Sequence, residues 1–169
     1  MLCNLDVLNW EWNMRARETI RTLNRLIVSC RGAEAFCIAS AQSRGALQLR
    51  SVLRRRSEEW GRYGDELQAL VLMLGGEPAI GNPALSWLRR FWLAGKALLL
   101  GSSETLILEE WQREQQRVLN CYEDALRGYL ARRILRTVNT QAARIQQRLE
   151  QIESLRHECA LGQPNISRV

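Results

Sequence analysis

Residues 108–126 read LEEWQREQQRVLNCYEDAL. Leu108, Trp111, Gln115, Val118, Tyr122 and Ala125 recur at alternating spacings of three and four, which places them on one face of a helix. Strand-like alternation is absent, so the stretch is an amphipathic helix with an amide, Gln115, in the middle of its apolar face. A polar group in that position must be satisfied inside a core, or else mark a place where a charged ligand once sat. Choosing between these two decides whether the chain reads as an enzyme.

The same period extends outward in both directions. Upstream, Leu23, Ile27, Cys30, Glu34, Cys37 and Ala41 define a first helix over about 16–43, broken at Gly45. A second, over about 46–74, carries Leu49, Leu53, Trp60, Tyr63, Leu67, Leu70 and Leu74 on one seam. It ends at GGEP, where Gly75 suits a left-handed C-terminal residue and Pro78 prevents resumption. A short apolar helix is expected over about 83–100, with Trp87, Phe91 and Trp92. GSSE then restarts the chain: Ser102 or Ser103 caps a third long helix, about 103–126, with Glu104 in its first turn. The fourth, about 129–158, turns Ile134, Val138, Gln141, Ile145, Leu149, Ile152 and Leu155 inward.

Helices of about 25 residues are each about 38 Å long. Four of them with heptad-like seams predict an all-α four-helix bundle over residues 14–160, after an N-terminal extension (1–13) and before a flexible tail (161–169). The first two helices are joined tightly, as are the last two, and the long segment 75–102 links the pairs. Two antiparallel hairpins joined by one long crossover containing a short helix is the ferritin-like topology.

A length of 169 residues suits one domain with a substantial core. The formal charge is +6, and of 24 basic residues all but Lys96 are arginine. Arg127, Arg132, Arg133 and Arg136 gather around the start of the fourth helix, which raises nucleic-acid binding as an alternative function. No ribonucleoprotein aromatic pattern or zinc-finger spacing accompanies them, and Arg54, Arg55 and Arg56 splay around their helix. Solvated helix faces are the simpler expectation, so nucleic acid is not the expected partner. The five cysteines lack metal-ligand spacing. Cys30 and Cys37 share a face but lie roughly 10 Å apart along it, beyond disulfide reach. Reduced, buried thiols in a cytoplasmic protein are expected. The longest apolar runs are too short to span a bilayer, and the N-terminus lacks the features of a signal peptide, so no membrane partner is expected.

A dinuclear carboxylate centre in such a bundle takes one Glu from each of two helices and a Glu-x-x-His pair from each of the others. The first helix supplies Glu34. At the matching level the second carries Trp60 and Tyr63, the third Gln115, and the fourth Gln146 and Leu149. His157, the single histidine, falls in the last turn of the fourth helix, where a cation suits the helix dipole. No intact metal site and no resident cofactor follow. Glu34, Glu66 and Glu110 remain as remnants that could hold iron or manganese only in a rearranged site. An inward polar network of Glu34, Tyr63, Gln115 and Tyr122 is the expected alternative, with Arg56 a further partner for Glu34. No nucleophile–base pair or glycine-rich phosphate loop appears elsewhere.

Four stretches, RGAEAF (31–36), ELQALVLMLGGEP (66–78), RRFWLAGK (89–96) and QREQQRVLNCYEDAL (112–126), resemble the motifs DGxxGF, ELxxxVxxLGGxP, HRxWxDLK and an acidic ExxED before YxxAL. These outline a bacterial family of uncharacterised ferritin-like bundles, and the resemblance runs from about Thr22 to Arg156, with Met14 at the family's usual start. Departures fall on the polar positions. Arg31 replaces Asp, Arg89 replaces His, Ala94 replaces Asp, Gln112, Gln115 and Gln116 replace acids, and Leu149 stands where a family histidine falls. The resemblance implies a ferritin-like bundle whose metal position is degenerate, with Gln115 its neutral occupant.

What remains is association. LQALVLML (67–74) is apolar nearly all round, and Trp87, Arg89, Arg90, Phe91, Trp92 and Trp111 combine the residue types enriched at interfaces. A non-catalytic bundle acting as a homodimer or through a protein partner is the expected function. A rearranged carboxylate oxidase or metal-binding protein is the alternative.

Overall fold

A computed structural model describes the backbone of residues 3–79 and 104–160, and the side chains of 13–44, 46–79, 104–154 and 156. The short helix expected over 83–100, with Trp87, Arg89, Arg90, Phe91 and Trp92, lies outside the described residues, as do Ser102, Ser103, the His157 side chain and the tail.

Four long helices carry the described chain: α1 (Cys3–Ala41), α2 (Arg50–Met73), α3 (Glu104–Arg127) and α4 (Arg132–Ala160). A 3₁₀ turn, Arg44–Ala46, lies between α1 and α2. No strand occurs among the described residues, and the arrangement is consistent with a four-helix bundle. α1 runs unbroken through Met14, because no Gly or Pro interrupts residues 3–31. α2 starts later than its periodicity suggests, at Arg50, after the 3₁₀ turn has taken up Gly45 and Ala46.

Side-chain bonds fix which helices are neighbours. Asn24 meets Glu77 and Arg31 meets Asp65, so α1 and α2 are antiparallel. Cys30 meets Tyr122, and the Glu104 carboxylate bonds the Leu49 backbone, which sets α3 antiparallel to α1. α4 returns along α3 through Tyr122–Gln141 and Gln112–Glu153. It closes the ring on α2 through Gln141–Glu66 and Arg148–Glu59. α2 and α3 are therefore parallel and diagonally opposed, and the end of α2 and the start of α3 lie at opposite ends of the molecule. The core they enclose is one cluster, with Leu23, Ile27, Leu53, Leu67, Leu108, Trp111, Ile145 and Ile152 among its most deeply buried members.

The stop of α2 is a Schellman motif. Gly75 takes φ +72°, its N–H reaches the Leu72 carbonyl at 3.0 Å, and the Gly76 N–H reaches Val71 at 3.0 Å. Gly76 has a separate, steric role. A Cβ there would sit 2.8–2.9 Å from three side-chain atoms of Ile20 on α1. The loop is then clipped to the same helix by Asn24, whose amide donates to the Glu77 carbonyl (3.0 Å) and accepts from the Ala79 N–H (2.9 Å). LGGEP is thus a stop and a docking point in one.

Candidate functional site: a polar layer across the bundle

Gln115 is 2% exposed. With its amide oriented by its partners, the oxygen accepts from Trp60 Nε1 at 3.2 Å and from Trp111 Nε1 at 3.1 Å. One carbonyl thus satisfies two buried indole N–H groups, one on its own helix and one across the diagonal on α2. Trp60 in turn meets the Tyr63 ring edge-on, with centroids 5.6 Å apart, a favoured aromatic geometry.

Beside this group lies a charged one. Arg56, 3% exposed, donates to Glu59 Oε2 at 2.8 Å, while Tyr63 (3.0 Å) and Arg148 of α4 (3.3 Å) both donate to Oε1. Burial works against the Glu59 charge, but the Arg56 hydrogen bond and the Arg148 charge outweigh it and hold the carboxyl below its ordinary range. Burial, reinforced by the Glu59 charge, pushes the Tyr63 hydroxyl up to about 12. Periodicity overlooked Arg56 and Glu59 as a pair. The signal was there, because Arg56 continues the Leu53–Trp60 seam at spacings of three and four.

One helical turn or two further along, a hydrogen-bonded chain crosses three helices. Tyr122 donates to Gln141 Oε1 (2.7 Å), and Gln141 Nε2 donates to Glu66 Oε2 (2.7 Å). Since the tyrosine proton is committed to Gln141, the Cys30 thiol is the donor in its 3.1 Å contact with the Tyr122 oxygen. Burial pushes the Cys30 thiol up to about 12 and raises Cys37 likewise. Neither is a nucleophile at neutral pH, because the reactive species is the thiolate.

Glu34 stands apart from all of these. It pairs with Arg31 on its own helix at 2.9 Å, and Arg31 reaches on to the Gly61 carbonyl at 3.3 Å. Two glycines of α2 make room for the pair. A Cβ on Gly61 would lie 3.0 Å from Glu34 Oε1, and one on Gly64 would lie 3.0 Å from Arg31 Cζ. Of the four residues expected in one inward network, Gln115 and Tyr63 meet through Trp60, whereas Tyr122 belongs to the Gln141–Glu66 chain and Glu34 to the Arg31 pair.

The expected carboxylate remnants are similarly dispersed. Glu34 is held by Arg31, Glu66 by Gln141, and Glu110 by Arg113. Among the described residues no group of three or more His, Cys, Asp or Glu could hold a metal ion. Trp111, expected at an interface, is 1% exposed and spent on Gln115. Its place on the same seam as Leu108 and Gln115 explains the correction. No described helix is long and apolar enough to cross a membrane.

No curated protein matches the chain. A family match does exist, to the domain of unknown function DUF2383, over residues 18–128. The matched span includes Asn24, the Gly75–Gly76 stop, Glu59–Tyr63 and Gln115, while α4, with Gln141 and Arg148, follows it. With well over half of its length matched, this chain belongs to the DUF2383 family.

Proposed function

We propose that the chain is a non-catalytic, ferritin-like bundle with a degenerate metal position, acting through association with a second copy of itself or a protein partner. The observation that carries this is the Gln115 carbonyl held between two indole N–H groups. Both N–H dipoles present their positive ends to the carbonyl oxygen, whose lone pairs are thereby used and are not left for a metal. Glu59, which lines the same recess as Gln115, is likewise taken by Arg56, Arg148 and Tyr63. Support for the ferritin-like relationship comes from the parallel, diagonal placement of α2 and α3, which a single long crossover would produce. Association is supported by exposed apolar side chains at the end of α2, Leu72 at 63% and Met73 at 54%, residues that a surface helix ordinarily replaces with polar ones.

Protein purified without chelator and challenged anaerobically with ferrous iron or manganese is expected to take up no stoichiometric metal. One or two tightly held ions, lost in Glu34→Ala or Glu66→Ala, would restore the reading as a rearranged carboxylate metal centre. Light scattering across micromolar concentrations is expected to give twice the 19.5 kDa chain mass. A strictly monomeric mass would end the self-association reading.

A further inference from the structure

The end of α2 and the start of α3 lie at opposite ends of the bundle and on a diagonal, so the 24 residues between Ala79 and Glu104 pass over either α1 or α4. Both anchor points stand beside α1. At one, the Ala79 N–H donates to the Asn24 side chain at 2.9 Å. At the other, the Glu104 carboxylate bonds the Leu49 backbone, and Arg50, the next residue, donates to the Ala41 carbonyl at the end of α1 at 3.0 Å. We propose that the outer face of α1, from Val28 to Ala39, is the docking surface for residues 83–100 of the same chain.

Burial decides between the two helices. α1 meets α2 through Asn24 and Arg31, and α3 through Cys30. Val28, Gly32, Ala35 and Ala39 recur at spacings of four and three on the side away from Leu23, Cys30 and Ala41. A stripe on that side faces water unless something lies on it, yet Ala39 is 6% exposed and the other three are half-buried. On α4 the corresponding outward residues, Arg136, Thr140, Ala143, Gln147, Glu150 and Ser154, are all exposed.

Chemistry and length agree with this. Earlier on the same side of α1, Arg21 and Arg25 are charged and exposed. The stripe turns apolar just past Asn24, where Ala79 is anchored. The segment PALSWLRRFWLAGKALLL (83–100) carries Trp87, Phe91 and Trp92 and gains by covering an apolar surface, which the polar outer face of α4 does not offer. Its 18 residues, as the helix expected from the sequence, reach about 27 Å, and Asn24 to Ala41 spans about 26 Å along α1. Its aromatic side chains are then spent inside the chain, which leaves surfaces such as Leu72 and Met73 for association. The inference rests on the arrangement of the helices and holds whether or not the bundle associates.

Lys96 is the single lysine, so amine cross-linking of the full chain tests the assignment directly. Lys96 is expected to join position 42 of the same chain in Gln42→Lys, at the exposed turn after α1. It is expected not to join position 147 in Gln147→Lys, on the outer face of α4. A link to position 147 would overturn the assignment. So would a link to position 42 found only between chains in a mixture of isotopically labelled and unlabelled protein, which would make a second copy the occupant. Trypsin gives a second measurement at Arg89, Arg90 and Lys96. Cleavage there is expected to be about tenfold faster in Ala39→Arg, where circular dichroism shows the other helices intact, and unchanged in Ala143→Arg. Equal rates in Ala39→Arg and the unaltered chain would refute the docking.

Discussion

At the scale of single residues, several buried polar groups of this core are matched to specific partners. Gln115 is the clearest case, because one acceptor serves two indoles and its loss would strand both. Gln115→Leu, similar in volume, is expected to destabilise by about 2–4 kcal/mol, as two buried donors lose their acceptor; urea unfolding would measure it. A cost below about 0.5 kcal/mol would show that the indoles find other acceptors. Glu59 makes a prediction about pH. Its carboxyl is held below the ordinary value of 4.5, so it stabilises the fold above that pH and loses the contribution as pH falls through the lower folded value. Glu59→Gln should cost about 3 kcal/mol at pH 7, since two guanidiniums lose their counter-charge, and should flatten the acid limb of the stability profile. An unchanged acid limb in the variant would place the acid sensitivity elsewhere.

At the scale of elements, the contacts between helices rest on missing side chains as much as on present ones. Gly61 and Gly64 leave the notch into which the Arg31–Glu34 pair of α1 fits, and Gly76 leaves the space taken by Ile20. Ile20 is β-branched and stiff, and three of its atoms would be struck at once. It cannot yield by swinging one terminal group aside. Gly76→Ala is therefore expected to cost about 1–3 kcal/mol, and much of that should return in the double variant with Ile20→Ala, a positive coupling that a double-mutant cycle would measure. Additive effects would mean that the loop, rather than the helix contact, bears the strain. The prediction tests whether LGGEP docks on α1, as the Asn24 bonds also require.

At the scale of the whole molecule, α1 is the longest helix, with 39 residues against 24 for α2. Among its described side chains, those of residues 13–15 and 17–18 are exposed, and Thr19 is the first that is buried. The pairing of Asn24 with Glu77 puts the α2 stop far along α1, so the beginning of α1 overhangs the partner helix. A chain starting at Met14, which keeps the Arg15–Tyr129 cation–π contact at 5.1 Å, is expected to melt within about 3 °C of the full chain, corresponding to at most about 1 kcal/mol in a domain of this size. A larger drop in calorimetry would assign residues 1–13 a part in the folded core.

The division between what was legible in the sequence and what was not follows from the range of the forces. Helical period, caps and stops act over a few residues, so the seams of α3 and α4, the buried Leu23–Ala41 face of α1 and the left-handed Gly75 could all be read from the chain. The period says whether a residue points inward, and it said so correctly for Gln115, Tyr122 and Gln141. It does not say which helix stands opposite. Glu34 lies on the inward stripe yet turns to Arg31 in a glycine notch of α2, and Trp111 is occupied by Gln115 rather than by a partner. Arg148 reaches a carboxylate on another helix. The Arg148–Glu59 bond, the Trp60–Gln115 bond and the notch that Gly61 and Gly64 leave for the Arg31–Glu34 pair each join residues far apart in the chain, at distances set by how closely the helices approach. Only the tertiary structure decided them, because helix–helix spacing depends on the side chains of both surfaces together.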